Sequence, residues 1–166
     1  MLFEGDLCCE TVETPAIIVP VIKMDKQIII QTVKHARLEL AKYPVELVYL
    51  HGSVALGNAT SLSDIDLAVV VEKSAGPQDY LDLEMELEVF FCRLLKTEKA
   101  DVRIINQAPL GFKGQVLTSG ILLYSKDENF RVEFETSTRS NYFDFLPVIR
   151  QMSSAFFEKL NRKQHG

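Results

Sequence analysis

Apolar positions recur at two different periods along this chain, and the alternation between them marks its elements. Ile29, Val33, Ala36, Leu40 and Tyr43 follow one another at steps of three and four, which predicts a helix from Asp25 to Tyr43 that Pro44 stops. Val45 to Leu50 reads as a strand, and Asp64 to Glu72 as a second one, rich in β-branched residues. Lys73 to Gln78 reads as a turn, with Pro77 placed to open a helix. Leu83, Leu87, Phe90, Phe91 and Leu94 form one stripe of an amphipathic helix over Asp79 to Lys96. A third strand is predicted over Ala100 to Asn106, a short helix over Leu110 to Thr118, and a short strand over Ile121 to Ser125 after Gly120. From about Phe130 the pattern is helical again. Phe145, Ile149, Met152, Phe156 and Leu160 form one helical stripe, and Pro147 lies inside the periodic pattern, where it should kink the helix or mark a joint.

The order of elements predicts an α/β (α+β) domain, a small mixed sheet with helices covering one face. Residues 1–23 stand apart as an N-terminal extension whose role is unreadable: they hold Pro15 and Pro20 and show no helical period. Residues 24–166 form the domain proper, and 166 residues with a hydrophobic fraction of 47% suffice for one core.

Charge and cysteine content narrow the classes. A net charge of −5 and a pI near 5.2 argue against a dedicated nucleic-acid surface, which needs clustered Lys and Arg. Cys8, Cys9 and Cys92 form neither a disulfide framework nor a zinc pattern, and Cys92 reads as a small core residue. A reducing cytoplasm is the simplest compartment. Ala16 to Ile22 is too short to span a bilayer, so no membrane association is expected.

The chemistry concentrates between the first two strands. Gly52 and Ser53 end one apolar run, and Asp64 and Asp66 open the next. Residues i and i+2 of a strand share a face, so the two carboxylates point the same way and repel unless a cation lies between them. Hard oxygen ligands of this kind suit Mg²⁺. The bare backbone at Gly52 and the hydroxyl of Ser53 can meet a phosphate. Together they are the equipment of a phosphoryl or nucleotidyl transferase, with one Mg²⁺ on the triphosphate and a second acidifying the attacking hydroxyl.

Gly-Ser, ten intervening residues and Asp-x-Asp resemble the signature of the polymerase-β-like nucleotidyltransferase superfamily. From Met24 onward the chain is most similar to its minimal branch, and there to the MntA-type antitoxins paired with HEPN ribonuclease toxins. Lys99-Ala100-Asp101-Val102-Arg103, Gly120 to Tyr124, and Tyr142 to Ile149 also carry the resemblance. It implies a polymerase-β-like fold with a helical tail. It implies Asp101 as the third metal-binding and catalytic carboxylate beside Asp64 and Asp66, and Gly52 and Ser53 as nucleotide-binding residues. It also implies transfer of AMP from ATP to a hydroxyl, a tyrosine of a cognate HEPN toxin, within a hetero-oligomer. Two other readings stand beside it: a non-catalytic antitoxin acting by complex formation, and a small-molecule nucleotidyltransferase, for which about 40 residues after Tyr124 leave little room for an acceptor domain.

Leu56 departs from the family pattern, since many relatives carry Arg or Lys there to reach the phosphates. Lys73, Lys113 or Arg103 could substitute, and Arg103 could instead pair with Asp101. His51 reads either as a base or as a satisfied, partly buried histidine. The aromatic tail, with Tyr142, Phe143, Phe145, Phe156 and Phe157, is in part core and in part a candidate partner surface.

Overall fold

Both faces of the central strands are buried, and this determines the architecture. The computed structural model describes residues 25–60 and 62–164, with side chains through residue 154. The extension 1–23, with Cys8 and Cys9, lies outside the described residues, as do the side chains of Phe156, Phe157 and Leu160. Four strands, β1 (Val45–His51), β2 (Ile65–Val71), β3 (Ala100–Ile104) and β4 (Ile121–Ser125), form one sheet in the order β3-β2-β1-β4. β1 runs antiparallel to β2 and β4, and β2 runs parallel to β3. The parallel pair requires a crossover, which α4 (Tyr80–Leu95) supplies. The remaining helices are α1 (Lys26–His35), α2 (Arg37–Leu40), α3 (Gly52–Leu56), α5 (Leu110–Ser119) and α6 (Glu128–Gln164).

The single helix expected over Asp25 to Tyr43 is two. The chain leaves helical geometry at Ala36 (φ −84°, ψ 10°), whose N–H is shared between the carbonyls of Thr32 and Val33. The start is capped by Asp25, whose carboxylate accepts from Gln27 N–H at 3.2 Å.

A register shift between Val45 and Leu47 bulges β1 at its start. Val45, Val48 and Leu50 therefore share one face, while Leu47 and Tyr49 lie on the other. On the first face Ile29 and Val33 of α1 and Leu83, Leu87 and Phe91 of α4 pack over Leu67 and Val69. Phe91 and Leu87 are fully buried, and each such side chain contributes about 1.5–3 kcal/mol by leaving water. Cys92 is half-buried beside this core with a free thiol.

Helices on one face account for α1 and α4 but leave out a second layer. Val116 and Leu117 of α5 and Phe130 and Phe134 of α6 cover Leu47, Tyr49, Ala68 and Val70 on the opposite face. The unbroken apolar run Leu67 to Val71 carries the reason, since a strand buried on both faces does not alternate.

A buried polar cluster pins α6. Tyr49 Oη donates to Glu135 Oε1 at 2.9 Å, and Arg131 Nη1 donates to the same oxygen at 2.9 Å. Arg139 pairs with Glu135 Oε2 at 3.3 Å and donates to Leu117 O at 2.9 Å. The charge of Glu135, 8% exposed, is thus compensated on two sides. Further along, Tyr142 lies against Gly114, where a Cβ would stand 2.1 Å from its ring. α6 continues through Pro147 as one helix. Among the described residues of the tail stripe, Phe145 is 43% and Met152 66% exposed, while Ile149 is half-buried near Gly111. No further layer covers that stretch of α6 among the described residues.

Candidate active site

Sheet register brings three polar side chains into a row. His51 of β1 is the antiparallel partner of Asp66 of β2, and Asp66 is the parallel partner of Asp101 of β3. Alternation from Tyr49 and Ala68 places His51 and Asp66 on the α5 face of the sheet, and Asp101 follows as the ladder neighbour of Asp66. The row lies where β1 ends and where β2 and β3 begin. Asp64, two residues before Asp66, is exposed just ahead of β2.

Gly52 lies directly against this row. Its φ is +70°, and a Cβ built on it would stand 2.1 Å from Asp66 Oδ2. Only a residue without a side chain satisfies both conditions. Ser53 follows, half-buried, and no side chain caps the first turn of α3. Gly57, at φ +77°, ends that turn, and hydrogen bonds between Thr60 and Ser63 shape the return to β2.

Burial pushes the Asp66 carboxyl above its ordinary range. The neighbouring His51 opposes the shift, and the negative charges of Asp101 and Asp64 add to it. Burial likewise pushes His51 down, against the pull of Asp66 and Asp101 and together with the charge of Arg103. Arg103 and Asp101 stand 3.9 Å apart, both largely exposed, a loose pair of little energetic weight. Among the described residues no group of three or more His, Cys, Asp or Glu side chains is drawn together tightly enough to hold a metal ion. The donor set nevertheless has the chemistry a hard divalent cation takes: aligned carboxylates with unfavourable mutual charge, one of them resting on bare backbone.

A cleft of ≈ 670 Å³ opens beside the row. Asp66, Asp101 and Arg103 line it together with Glu84, Pro109 and Phe112. The Phe112 ring meets the His51 ring edge-on at 5.6 Å. Glu84 Oε1 accepts from Ile104 N–H at 2.7 Å and so satisfies a donor of the edge strand. Neither Phe112 nor Glu84 stood out in the sequence, because nothing local distinguishes them from ordinary helix residues. Of the three cations considered in place of Leu56, only Arg103 lines the cleft. Lys73 follows the far end of β2, about 20 Å of strand away from Asp66. Lys113 Nζ donates to Asn106 O at 3.1 Å.

This sheet, with acids at its strand starts, defines a class of transferase. The polymerase beta nucleotidyltransferase family model matches residues 34–129, more than half of the chain, and the chain belongs to that family. It is a nucleotidyltransferase. Its neighbours among solved structures are MntA-type antitoxins of toxin–antitoxin pairs. A crystal structure of a toxin–antitoxin with AMP-PNP aligns at TM-score 0.55 and 18% identity, covering 79% of this chain and 97% of that chain. The MntA–HepT toxin–antitoxin aligns at 0.53 and 17%, covering 78% and 97%. A tri-AMPylated Shewanella oneidensis HEPN toxin in complex with MNT antitoxin aligns at 0.51 and 17%, covering 79% and 98%. At these identities the likeness is one of fold. No curated protein sequence matches the chain. Among the described residues no helix is long and apolar enough to cross a membrane.

Proposed function

We propose that this chain is a Mg²⁺-dependent antitoxin adenylyltransferase of the cytoplasm. It transfers AMP from ATP to a hydroxyl, a tyrosine of a partner HEPN ribonuclease toxin, and so silences it. The observation that carries the reading is the placement of Asp66 and Asp101 as ladder neighbours on one sheet face, with Gly52 against the Asp66 carboxylate. Residues 24–166 form the transferase domain, with 1–23 as an extension.

In this reading Gly52 and Ser53 receive the phosphates, the glycine by close backbone approach and the serine through its hydroxyl. Asp64, Asp66 and Asp101 would hold Mg²⁺, which when bound neutralises the triphosphate and acidifies the acceptor hydroxyl. Asp101 accepts the proton of that hydroxyl. The raised Asp66 carboxyl supports the assignment: burial holds it above its ordinary range, the charges of Asp101 and Asp64 add to the shift, and a bound cation would offset both.

The AMP-PNP in one structural neighbour and the AMPylated toxin in another support the substrate and the partner by analogy of fold. A purified toxin–antitoxin mixture given ATP labelled on the α-phosphate tests the reading. Label should move to the toxin, and ATP labelled on the γ-phosphate should give none. Transfer of the γ label would replace adenylyl by phosphoryl transfer.

One observation favours a second reading, a non-catalytic antitoxin acting by complex formation. Phe143, Phe145, Val148 and Met152 are all exposed on α6, more apolar surface than a solvated helix needs.

A further inference from the structure

We propose that the tail of α6 docks, antiparallel, along the outer face of α4 of a second copy of this chain. The inference stands apart from the adenylyl-transfer reading and concerns two helix faces that the fold leaves uncovered.

The first is the outer face of α4. Leu83, Leu87 and Phe91 turn into the core, while Leu81, Met85 and Val89 are exposed on the opposite side. Cys92, half-buried, ends the same row. The second lies on α6 past its docking on α5. Phe145, Val148 and Met152 are exposed there in one row, and Phe156 is the next step of that row in the sequence. Apolar side chains at steps of three and four are what one helix offers another.

The two rows match in reverse. From Cys92 back to Leu81 the steps are three, four and four, and from Phe145 on to Phe156 they are again three, four and four. Each row is therefore about 16 Å long. Laid antiparallel, Cys92 meets Phe145, Val89 meets Val148, Met85 meets Met152 and Leu81 meets Phe156. Charge selects the same direction. α4 is acidic at its start, where Asp79, Asp82 and Glu86 are exposed, and carries Arg93 near its end. The tail has the opposite order: Asp144 is exposed beside Phe145, and Lys159, Arg162 and Lys163 follow Phe156 in the sequence. Antiparallel docking sets Asp144 against Arg93 and the three basic residues against the acidic end, whereas parallel docking would oppose like charges. Among the described residues Asp79, Asp82, Glu86 and Arg93 have no ion-pair partner in their own chain.

The chain's own α4 is out of reach of the tail. α6 packs with α5 on one face of the sheet, and α4 covers the other. α6 is one helix from Glu128 to Gln164, and a continuous helix does not fold back round a sheet. The occupant is therefore a second copy. A two-fold pair makes the contact twice, each tail lying on α4 of the other copy, and so closes without leaving either row open.

Sedimentation velocity of the full chain, with no nucleotide and no other protein, tests the pairing. The wild type should form a dimer whose share rises with protein concentration and falls with added salt. Met85→Glu and Met152→Glu, both at exposed positions, should each weaken the dimer by more than about 10-fold and leave the melting temperature of the monomer unchanged. Lys159→Glu/Arg162→Glu/Lys163→Glu should weaken it too, and Asp79→Lys/Asp82→Lys added to the same chain should restore it. A wild type that stays monomeric overturns the proposal and leaves the tail to a different partner. A dimer broken by Met152→Glu but not by Met85→Glu overturns it as well, since the tails would then pair with each other. A ladder of ever larger species overturns the closed pair.

Discussion

Gly52 and Asp66 are fitted to each other across the β1–β2 ladder: the carboxylate oxygen of Asp66 occupies the position that any side chain at residue 52 would need. The left-handed backbone at Gly52 turns the chain from β1 into α3 at the point where Asp66 stands. Gly52→Ala should therefore damage activity more than folding. The positive φ costs about 1–2 kcal/mol for an L-residue, which a thermal or denaturant melt will read. Displacing the carboxylate should lower nucleotidyl transfer by about 100-fold, the scale of an ångström-level misplacement. An alanine variant with wild-type rate would show that Asp66 does not need its present position.

The Tyr49–Glu135 hydrogen bond gives an alkaline signature. Burial, the hydrogen bond to Glu135 and its charge hold the Tyr49 phenol far above its ordinary value, against Arg131 and Arg139. A raised pKa means stability that is fully present below pH 10 and is lost as the pH rises beyond it. Absorbance titration at alkaline pH should show one of the five tyrosines ionising only as the fold is lost. Tyr49→Phe should cost about 0.5–1.5 kcal/mol at neutral pH and flatten the alkaline decline. Free ionisation of all five tyrosines in the folded protein would contradict this.

Gly114 and Tyr142 should behave as a coupled pair. Gly114→Ala alone pushes a methyl into the Tyr142 ring and should destabilise by about 1–3 kcal/mol. In a Tyr142→Ala background the same substitution meets no ring. It should there stabilise by up to about 1 kcal/mol, because alanine favours a helix over glycine. A double-mutant cycle measures the difference, and additive effects would mean that α6 does not dock on α5 here.

Leu56 is 59% exposed on α3, so a longer polar side chain fits without repacking. Leu56→Arg should leave stability within about 0.5 kcal/mol. It should tighten ATP binding several-fold, with a gain that fades as salt is raised, as expected of an exposed cation near phosphate. Isothermal titration at two salt concentrations reads both effects. Unchanged affinity would place the phosphates out of reach of residue 56.

The elements of this fold were legible wherever a run was long or bounded by Pro or Gly. Pro44 limits the first helical stretch, the β-branched run after Asp64 is β2, and Gly120 marks the entry to β4. The break at Ala36 was not legible, because it falls inside an uninterrupted helical period. The bulge at the start of β1 was hidden for a similar reason, since Val45 and Leu47 look like an ordinary alternating pair. The tail misled because periodicity marks an apolar face without saying what covers it: Phe145 and Met152 lie on a regular stripe and are exposed. Of the site, the spacing of Gly52, Asp64 and Asp66 could be read directly, whereas Asp101 needed the family resemblance. The row His51–Asp66–Asp101 and the Phe112 wall depend on register and on the docking of α5, which no local pattern encodes.

The most direct test of the central claim is the intact mass of the partner HEPN toxin after incubation with this protein, ATP and Mg²⁺. The account predicts a gain of one or more AMP masses with the wild type, and none with Asp66→Asn or Asp101→Asn, although both variants still bind the toxin. An unchanged toxin mass in a stable wild-type complex would contradict it and leave neutralisation to binding alone.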